Sequence, residues 1–204
     1  ARIKSVAITA GYIKPKARSE FYKHIDAANI DFKAFTEEFY KSLTLSELKP
    51  VLETLKWLKH ESDVWFEITN LVIPDENDSD LEFGNMCEWI LENLGDDVPV
   101  HFSAFHPDFK LTHRPRTPHS TLERAREIAL QRGIKFAYIG NVVDVDREST
   151  TCPSCQQLLI ERDRYEIGRF AIRDSACSNC GEPIPGVFEN QPGAWGRRRI
   201  PIQI

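Results

Sequence analysis

The first 140 residues alternate between two hydrophobic periods, and this alternation most constrains the fold. Short β-branched or aromatic runs recur at Ile3–Thr9, Ala27–Lys33, Val64–Thr69, Val98–Phe105 and Ile134–Ile139. Between them lie stretches of helical spacing: Lys16–Ile25, a segment opened by Thr36, another opened by Ser46, Ser79–Asn93 and Thr121–Arg132. Glu37 and Glu38 follow Thr36, where a helix N-terminus favours anions. Gly95 and Gly133 stand where two of the helices must stop. Strands separated by helices and tight connections form βαβ units, and such units build a parallel sheet. The first strand is not followed by Gly-x-Gly-x-x-Gly, so a dinucleotide-binding fold lacks its fingerprint. The pattern predicts an α/β chain built on a partial, open (β/α) barrel.

Side chains on a strand alternate between faces. Ile30 and Phe32 oppose Asn29, Asp31 and Lys33; Phe66 and Ile68 oppose Trp65, Glu67 and Thr69; Val100, Phe102 and Ala104 oppose His101 and Ser103. On the first strand, Val6 and Ile8 oppose Ser5 and Thr9, which predicts the same split of apolar toward helices and polar toward a shared interior. A strand covered on both faces reads as continuous apolar residues. Charges such as Asp31, Lys33 and Glu67 are costly inside unless paired or bound. A polar interior therefore argues for a binding site, against a wet edge strand or an internal Asp–Lys pair. Ligands of such folds sit at the C-terminal ends of the strands. That rim carries Thr9, Asp31, Lys33, Thr69, His106 and Asn141. The set suits a zwitterion: Lys33 for a carboxylate, Asp31 for an amine, His106 for stacking on a flat ring. His24, His60, His113 and His119 read as surface residues, and Cys87 as core.

From about Val145 the alternation gives way to Cys152-Pro-Ser-Cys155 and Cys177-Ser-Asn-Cys180. Two Cys-x2-Cys turns with a strand out and a strand back between them read as a zinc ribbon with four cysteine ligands. Two disulfides or a redox Cys-x2-Cys are the alternatives; a thioredoxin-type pair opens a helix, and neither pair here does. A single iron fits the same four thiolates. Boundaries of 1–144 for the barrel portion and 145–204 for the cysteine module follow. Metal spacing of four of the five cysteines points to a reducing, cytoplasmic compartment. A net charge of −5 argues against nucleic acid, with Arg197-Arg198-Arg199 read as a surface run. No run reaches the ~18–20 apolar residues of a membrane span, and no signal peptide is evident.

Taken in order, VAITAGYI, DAANIDFKAFTEEFY, VWFEITNLVIP with Asn77-Asp78, HFSAFHPDFK, FAYIGNV and CPSC…CSNCG resemble the later part of a radical SAM enzyme of the AmmeMemoRadiSam type, related to the pyruvate formate-lyase-activating enzyme. The resemblance implies a truncated radical SAM barrel with S-adenosylmethionine and a 4Fe-4S cluster at its rim. It implies that Thr9, Asp31, Lys33 and His106 line the S-adenosylmethionine pocket, with Ala10 standing where the wider family has Asn. It also implies reductive cleavage to a 5′-deoxyadenosyl radical, an electron donor, and a substrate that the residues do not name, a protein being one class. The family's Cys-x3-Cys-x2-Cys and its Gly-Gly-Glu-Pro-like motif are absent, so no residue is assigned as catalytic and the chain alone is expected to be inactive. Ala1 and the single Met86 fit a partial chain or a removed initiator methionine. A partial barrel would expose an edge at its first strand, aggregate, or bind S-adenosylmethionine weakly. The competing reading is a barrel scaffold whose zinc ribbon docks a protein; a phosphate- or sugar-binding barrel is disfavoured for want of a Gly-rich cradle.

Overall fold

The computed structural model describes residues 4–189, 191 and 192. The start of the first expected strand at Ile3, the Arg197-Arg198-Arg199 run and the chain's end at Ile204 lie outside them. The chain divides between Asn141 and Val142 into two compact units.

The first unit holds five parallel strands: β1 (Val6–Thr9), β2 (Ala27–Asp31), β3 (Trp65–Val72), β4 (Val100–Ala104) and β5 (Ala137–Gly140). Their order in the sheet is their order in the chain, with β1 and β5 at the edges. Each crossover turns the same way, so the helices gather on one face. These are α1 (Pro15–Tyr22), α2 (Glu37–Phe39, running into a π-turn over Tyr40–Thr44), α3 (Leu48–Glu61), α4 (Asp80–Leu94) and α5 (His119–Arg132). A singly wound parallel sheet of this kind is a segment of a (β/α) barrel, as the alternation predicts.

The helices form where their apolar periods lie. On α3, Leu48, Val51, Leu55 and Leu58 make the buried stripe; on α4 it is Phe83, Met86, Cys87, Ile90 and Leu94. Ser79 caps α4 by accepting from the N–H of Glu82, and Gly95 closes it at φ 88°. Thr36 caps α2 by accepting from the N–H of Phe39. Lys16–Ile25 is shorter than its spacing predicts, and the helix ends at Tyr22. Beneath the helices, the buried strand residues align across the sheet. Ala7, Ala28 and Phe66 make one row, and Ile30, Ile68, Val100 and Ala137 the next. Phe83 meets Phe102 edge-on at 5.7 Å, and Phe32 meets Trp89 at 5.6 Å. Burying each such side chain contributes about 1.5–3 kcal/mol.

One strand reverses the expected split. Ala7, not Val6 or Ile8, lies under the helices, and Val6 and Ile8 are 65% and 81% exposed on the opposite face. Thr9 pairs with Ile30, so its side chain shares the helix face. Pairing with β2 sets this register, since Ala7 aligns with buried Ala28.

The second unit is antiparallel. It contains α6 (Val145–Glu148), a three-stranded sheet of β6 (Thr150–Thr151), β7 (Leu158–Asp163) and β8 (Glu166–Phe170), and a pair of β9 (Ile172–Arg173) and β10 (Ala176–Cys177). Among the described residues, Leu159, Ile160, Ile172 and Ile184 are its buried aliphatic side chains. Among the described residues no helix is long and apolar enough to cross a membrane.

Candidate functional site

Two constellations carry chemistry, one in each unit. In the first, Asp31 ends β2 and Lys33 follows it by one turn of backbone alternation. Their side chains pair at 2.8 Å and are 32% and 30% exposed, open to a ligand yet partly desolvated. The peptide of Lys33 is pinned from both sides. Its N–H donates to the Tyr40 hydroxyl at 3.2 Å. Its carbonyl accepts from the amides of Asn70 at 3.0 Å and Asn77 at 2.6 Å. Asn70 also donates to the carbonyl of Phe32. Asn77 also donates to the carbonyl of Leu71 and accepts from the N–H of Ile73. Tyr40, Asn70 and Asn77 are all buried. Burial raises the Tyr40 phenol, which stays a neutral hydroxyl. Three residues from α2's π-turn, β3 and the β3–α4 loop thus hold one lysine at the rim.

Sequence reasoning missed these three. Tyr40 looked like helix, Asn70 lay past the predicted end of the third strand, and Asn77 read as loop. The one signal was Asn77-Asp78 in a Pro-containing turn, where an Asn amide can replace backbone partners.

The other rim residues stand apart from this pair. Thr9, on the helix face, accepts from the N–H of Gly11 at 3.2 Å. Gly11 has φ 66°, and a Cβ there would meet Ile30 at 2.9 Å, so the turn after β1 requires glycine. His106 is exposed and its Nδ1 lies 3.1 Å from the Asp108 carboxylate. Asn141 donates its amide to the carbonyl of Ala104, tying the ends of β4 and β5. Thr69 is not at the rim, because β3 runs on to Val72; it lies on the concave face beside Asp31. That face forms a groove of about 520 Å³ lined by Val6, Ile8, Asn29, Asp31, Trp65, Glu67 and Thr69 among others.

In the second unit, Cys152, Cys155, Cys177 and Cys180 converge, with all four sulfurs within 4.8 Å of one another. The two Cys-x2-Cys turns have the same hydrogen bonds. The N–H of Cys152 donates to the carbonyl of Gln157 and its own carbonyl accepts from Gln156. The N–H of Cys177 donates to Glu182 and its carbonyl accepts from Gly181. Gln156 and Gly181, the residues after each second cysteine, both have positive φ, 59° and 79°. The sequence marks only the second, since glutamine carries no such signal. Sγ–Sγ separations of 3.6 Å for Cys152–Cys180 and 3.7 Å for Cys155–Cys177 far exceed a disulfide's ~2.05 Å. They match the edge of a tetrahedron with metal–sulfur bonds of about 2.3 Å, which is about 3.8 Å. The Asn179 amide and the N–H of Gln157 draw the Cys155 thiol down to about 6. Thiolates this close repel one another, and a divalent cation at their centre relieves that repulsion. The donor set is one that could hold a metal ion, consistent with a zinc-ribbon-like module.

No family model matches the chain. Over 186 residues, 90% of its length, it is 42% identical to the uncharacterized protein MJ0808 of Methanocaldococcus jannaschii, and it spans 55% of that relative. Among solved structures it is similar to a domain of a pyruvate-formate lyase-activating enzyme from Bacteroides vulgatus. The TM-score is 0.58 at 15% identity, over 68% of this chain and 82% of that one. It is also similar to a radical SAM methyltransferase from Sphaerobacter thermophilus, with a TM-score of 0.54 at 14% identity over 65% of this chain and 39% of that one. At these identities the likeness is one of fold: the five-stranded parallel array is built as in radical SAM enzymes.

Proposed function

We propose that this chain is the S-adenosylmethionine-holding portion of a radical SAM enzyme of the AmmeMemoRadiSam type. The observation that carries the reading is the Lys33 peptide, fixed by Tyr40, Asn70 and Asn77 at the C-terminal end of a singly wound parallel sheet. So much buried hydrogen bonding around one half-exposed, charged residue is the support a ligand-binding lysine needs. Lys33 takes the methionyl carboxylate and Asp31 the methionyl ammonium, exchanging their mutual ion pair for two with the ligand. His106 gives a flat face to the adenine, while Thr9, whose side chain faces the helices and accepts from the Gly11 N–H, shapes the turn after β1 without touching the ligand. Once cleaved by a one-electron reductant that this chain does not supply, S-adenosylmethionine would provide a radical able to abstract a hydrogen atom.

The chain's own cysteines do not fit the 4Fe-4S cluster that such chemistry uses, which needs three thiolates and an open iron. Four converge on one candidate metal site, away from the sheet's rim residues in sequence and in their own unit. The fifth, Cys87, lies on the buried face of α4, with its thiol pushed up to about 12 by burial. The reading therefore requires cluster thiolates that these 204 residues do not supply. The ribbon metal is structural in this reading.

Calorimetric titration of the chain with S-adenosylmethionine tests it. Binding that weakens roughly tenfold or more in Lys33→Met and Asp31→Asn, with unchanged melting, supports the reading. Binding that ignores both substitutions, or no binding at all, overturns it and favours a barrel scaffold whose ribbon docks a protein.

A further inference from the structure

A groove of about 540 Å³, the size of a small-molecule site, lies between the α2 segment and the turn that opens α4. Its walls carry the carboxylates of Glu38, Asp75, Glu76, Asp78 and Glu82, with no lysine, arginine or histidine among them. Arg114 neutralises one end, with Nη1 on Asp75 at 3.3 Å and Nη2 on Glu76. Arg124 is engaged by the Asp80 carboxylate and the carbonyl of Asp78. Among the described residues, Glu38, Asp78 and Glu82 have no cationic partner.

Glu82 separates this groove from a solvated run of surface charge, because it is only 9% exposed. A glutamate three residues after a serine cap ordinarily folds back to the cap's own N–H. Here Ser79 caps α4, but Oε1 of Glu82 accepts from the N–H of Phe35, 47 positions away. Oε2 has no hydrogen bond among the described residues, and the side chain faces the groove. A nearly buried carboxylate oxygen is thus left without a partner on the groove wall. Burying an ion without a counter-charge destabilises the free chain, and glutamine would keep the bond from Phe35. Stability therefore does not account for a glutamate at this position, whereas a cation in the groove does.

The spread of the charges sets the class of cation. The groove's carboxylates are not among the described groups whose ligand atoms converge within 4.8 Å, so three of them do not grip one small ion. The walls also include Phe39 and Leu81, the latter 72% exposed. Separated carboxylates with apolar side chains in the same walls match separated ammonium groups joined by methylenes. We infer that this groove binds a linear polyamine, one ammonium donating to Oε2 of Glu82, the others drawn to Glu38 and Asp78, and the methylenes against Phe39 and Leu81. Each ammonium contact is a charge-assisted hydrogen bond. The groove shares no residue with the Asp31–Lys33 pair, so the assignment holds whichever ligand occupies the rim.

Calorimetric titration of the 204-residue chain at about 0.15 M salt, where loose attraction between exposed charges is screened, tests the inference with spermidine, magnesium and a tetra-arginine peptide. Spermidine binds at one saturable site, and roughly tenfold or more tightly than either competitor. Glu82→Gln retains an acceptor for Phe35, melts no lower than the parent chain and binds spermidine roughly tenfold or more weakly. Glu38→Gln, on the exposed wall, weakens it by roughly threefold. Glu53→Gln removes the same charge from α3, outside the groove, and leaves spermidine binding unchanged. Equal effects of all three substitutions would overturn the inference, because they would show only attraction to an acidic chain. Magnesium binding as tightly as spermidine would replace it with a metal site, and tighter binding of tetra-arginine with a peptide surface. Failure of spermidine to saturate at millimolar concentration would end it.

Discussion

Replacing Asn77 by alanine removes the residue that joins most backbone segments at the rim. Its side chain, 2% exposed, accepts from the N–H of Ile73 and donates to the carbonyls of Leu71 and Lys33. Lys33 keeps its bond from Asn70, so two buried backbone groups are left without this partner, the Ile73 N–H and the Leu71 carbonyl. Each orphaned group costs about 1–3 kcal/mol, which sums to roughly 2–6 kcal/mol. At about 3 °C per kcal/mol for a unit of this size, Asn77→Ala melts roughly 6–18 °C lower. Urea and thermal unfolding followed by tryptophan fluorescence measure this, because Trp57, Trp65 and Trp89 belong to the β/α unit. Asn77→Asp is the control. It keeps the acceptor for Ile73 but turns a carboxylate oxygen toward two carbonyls, so it costs at least as much at neutral pH and less once protonated in acid. A loss below about 1 kcal/mol in Asn77→Ala would refute the reasoning, because the loop would then be holding itself without the side chain.

Three further outcomes follow from individual residues. With metal bound, a maleimide labels none of the five cysteines quickly; a chelator exposes the four ribbon thiols, and Cys87 reacts only after unfolding, as mass spectrometry of the labelled chain reports. Glu82 is buried, which raises its carboxyl, while the N–H of Phe35 that it accepts opposes the shift. The folded chain therefore holds that proton more tightly than the unfolded chain, and stability falls as pH rises from the ordinary glutamate value through the raised one. Glu82→Gln removes that slope and is the more stable form at pH 7 in urea melts. Leu45 ends the π-turn at φ 51° with its side chain 89% exposed, so Leu45→Gly stabilises by about 1 kcal/mol in the same melts; a loss would show that the leucine packs.

The architecture was legible because each element announced itself twice. Ser79 and Gly95 bracket an apolar period of helical spacing, and β2 to β4 alternate as their composition demands. What misled was β1. Val6 and Ile8 are the more apolar pair, and burial by composition would turn them toward the helices. Pairing decides instead: the small Ala7 aligns with Ala28 beneath the helix layer, and the larger side chains are left on the concave face. The site was legible as a list and not as an assembly. Asp31 and Lys33 share a face by alternation, and their pairing follows from that. The clamp on the Lys33 peptide joins residues 7, 37 and 44 positions away, and no local pattern encodes such separations. Glu67 and His101 were on the right face, but their contact depends on a strand register that turns and crossovers set.

The central claim is that S-adenosylmethionine lies across the C-terminal ends of the strands, against Asp31 and Lys33. A crystal structure of the chain grown with S-adenosylmethionine tests it most directly. The account predicts the methionyl carboxylate on Lys33 Nζ and the methionyl ammonium on the Asp31 carboxylate, with the ion pair between them opened. Cofactor bound elsewhere on the chain, or crystals in which that ion pair persists at saturating S-adenosylmethionine, would contradict it.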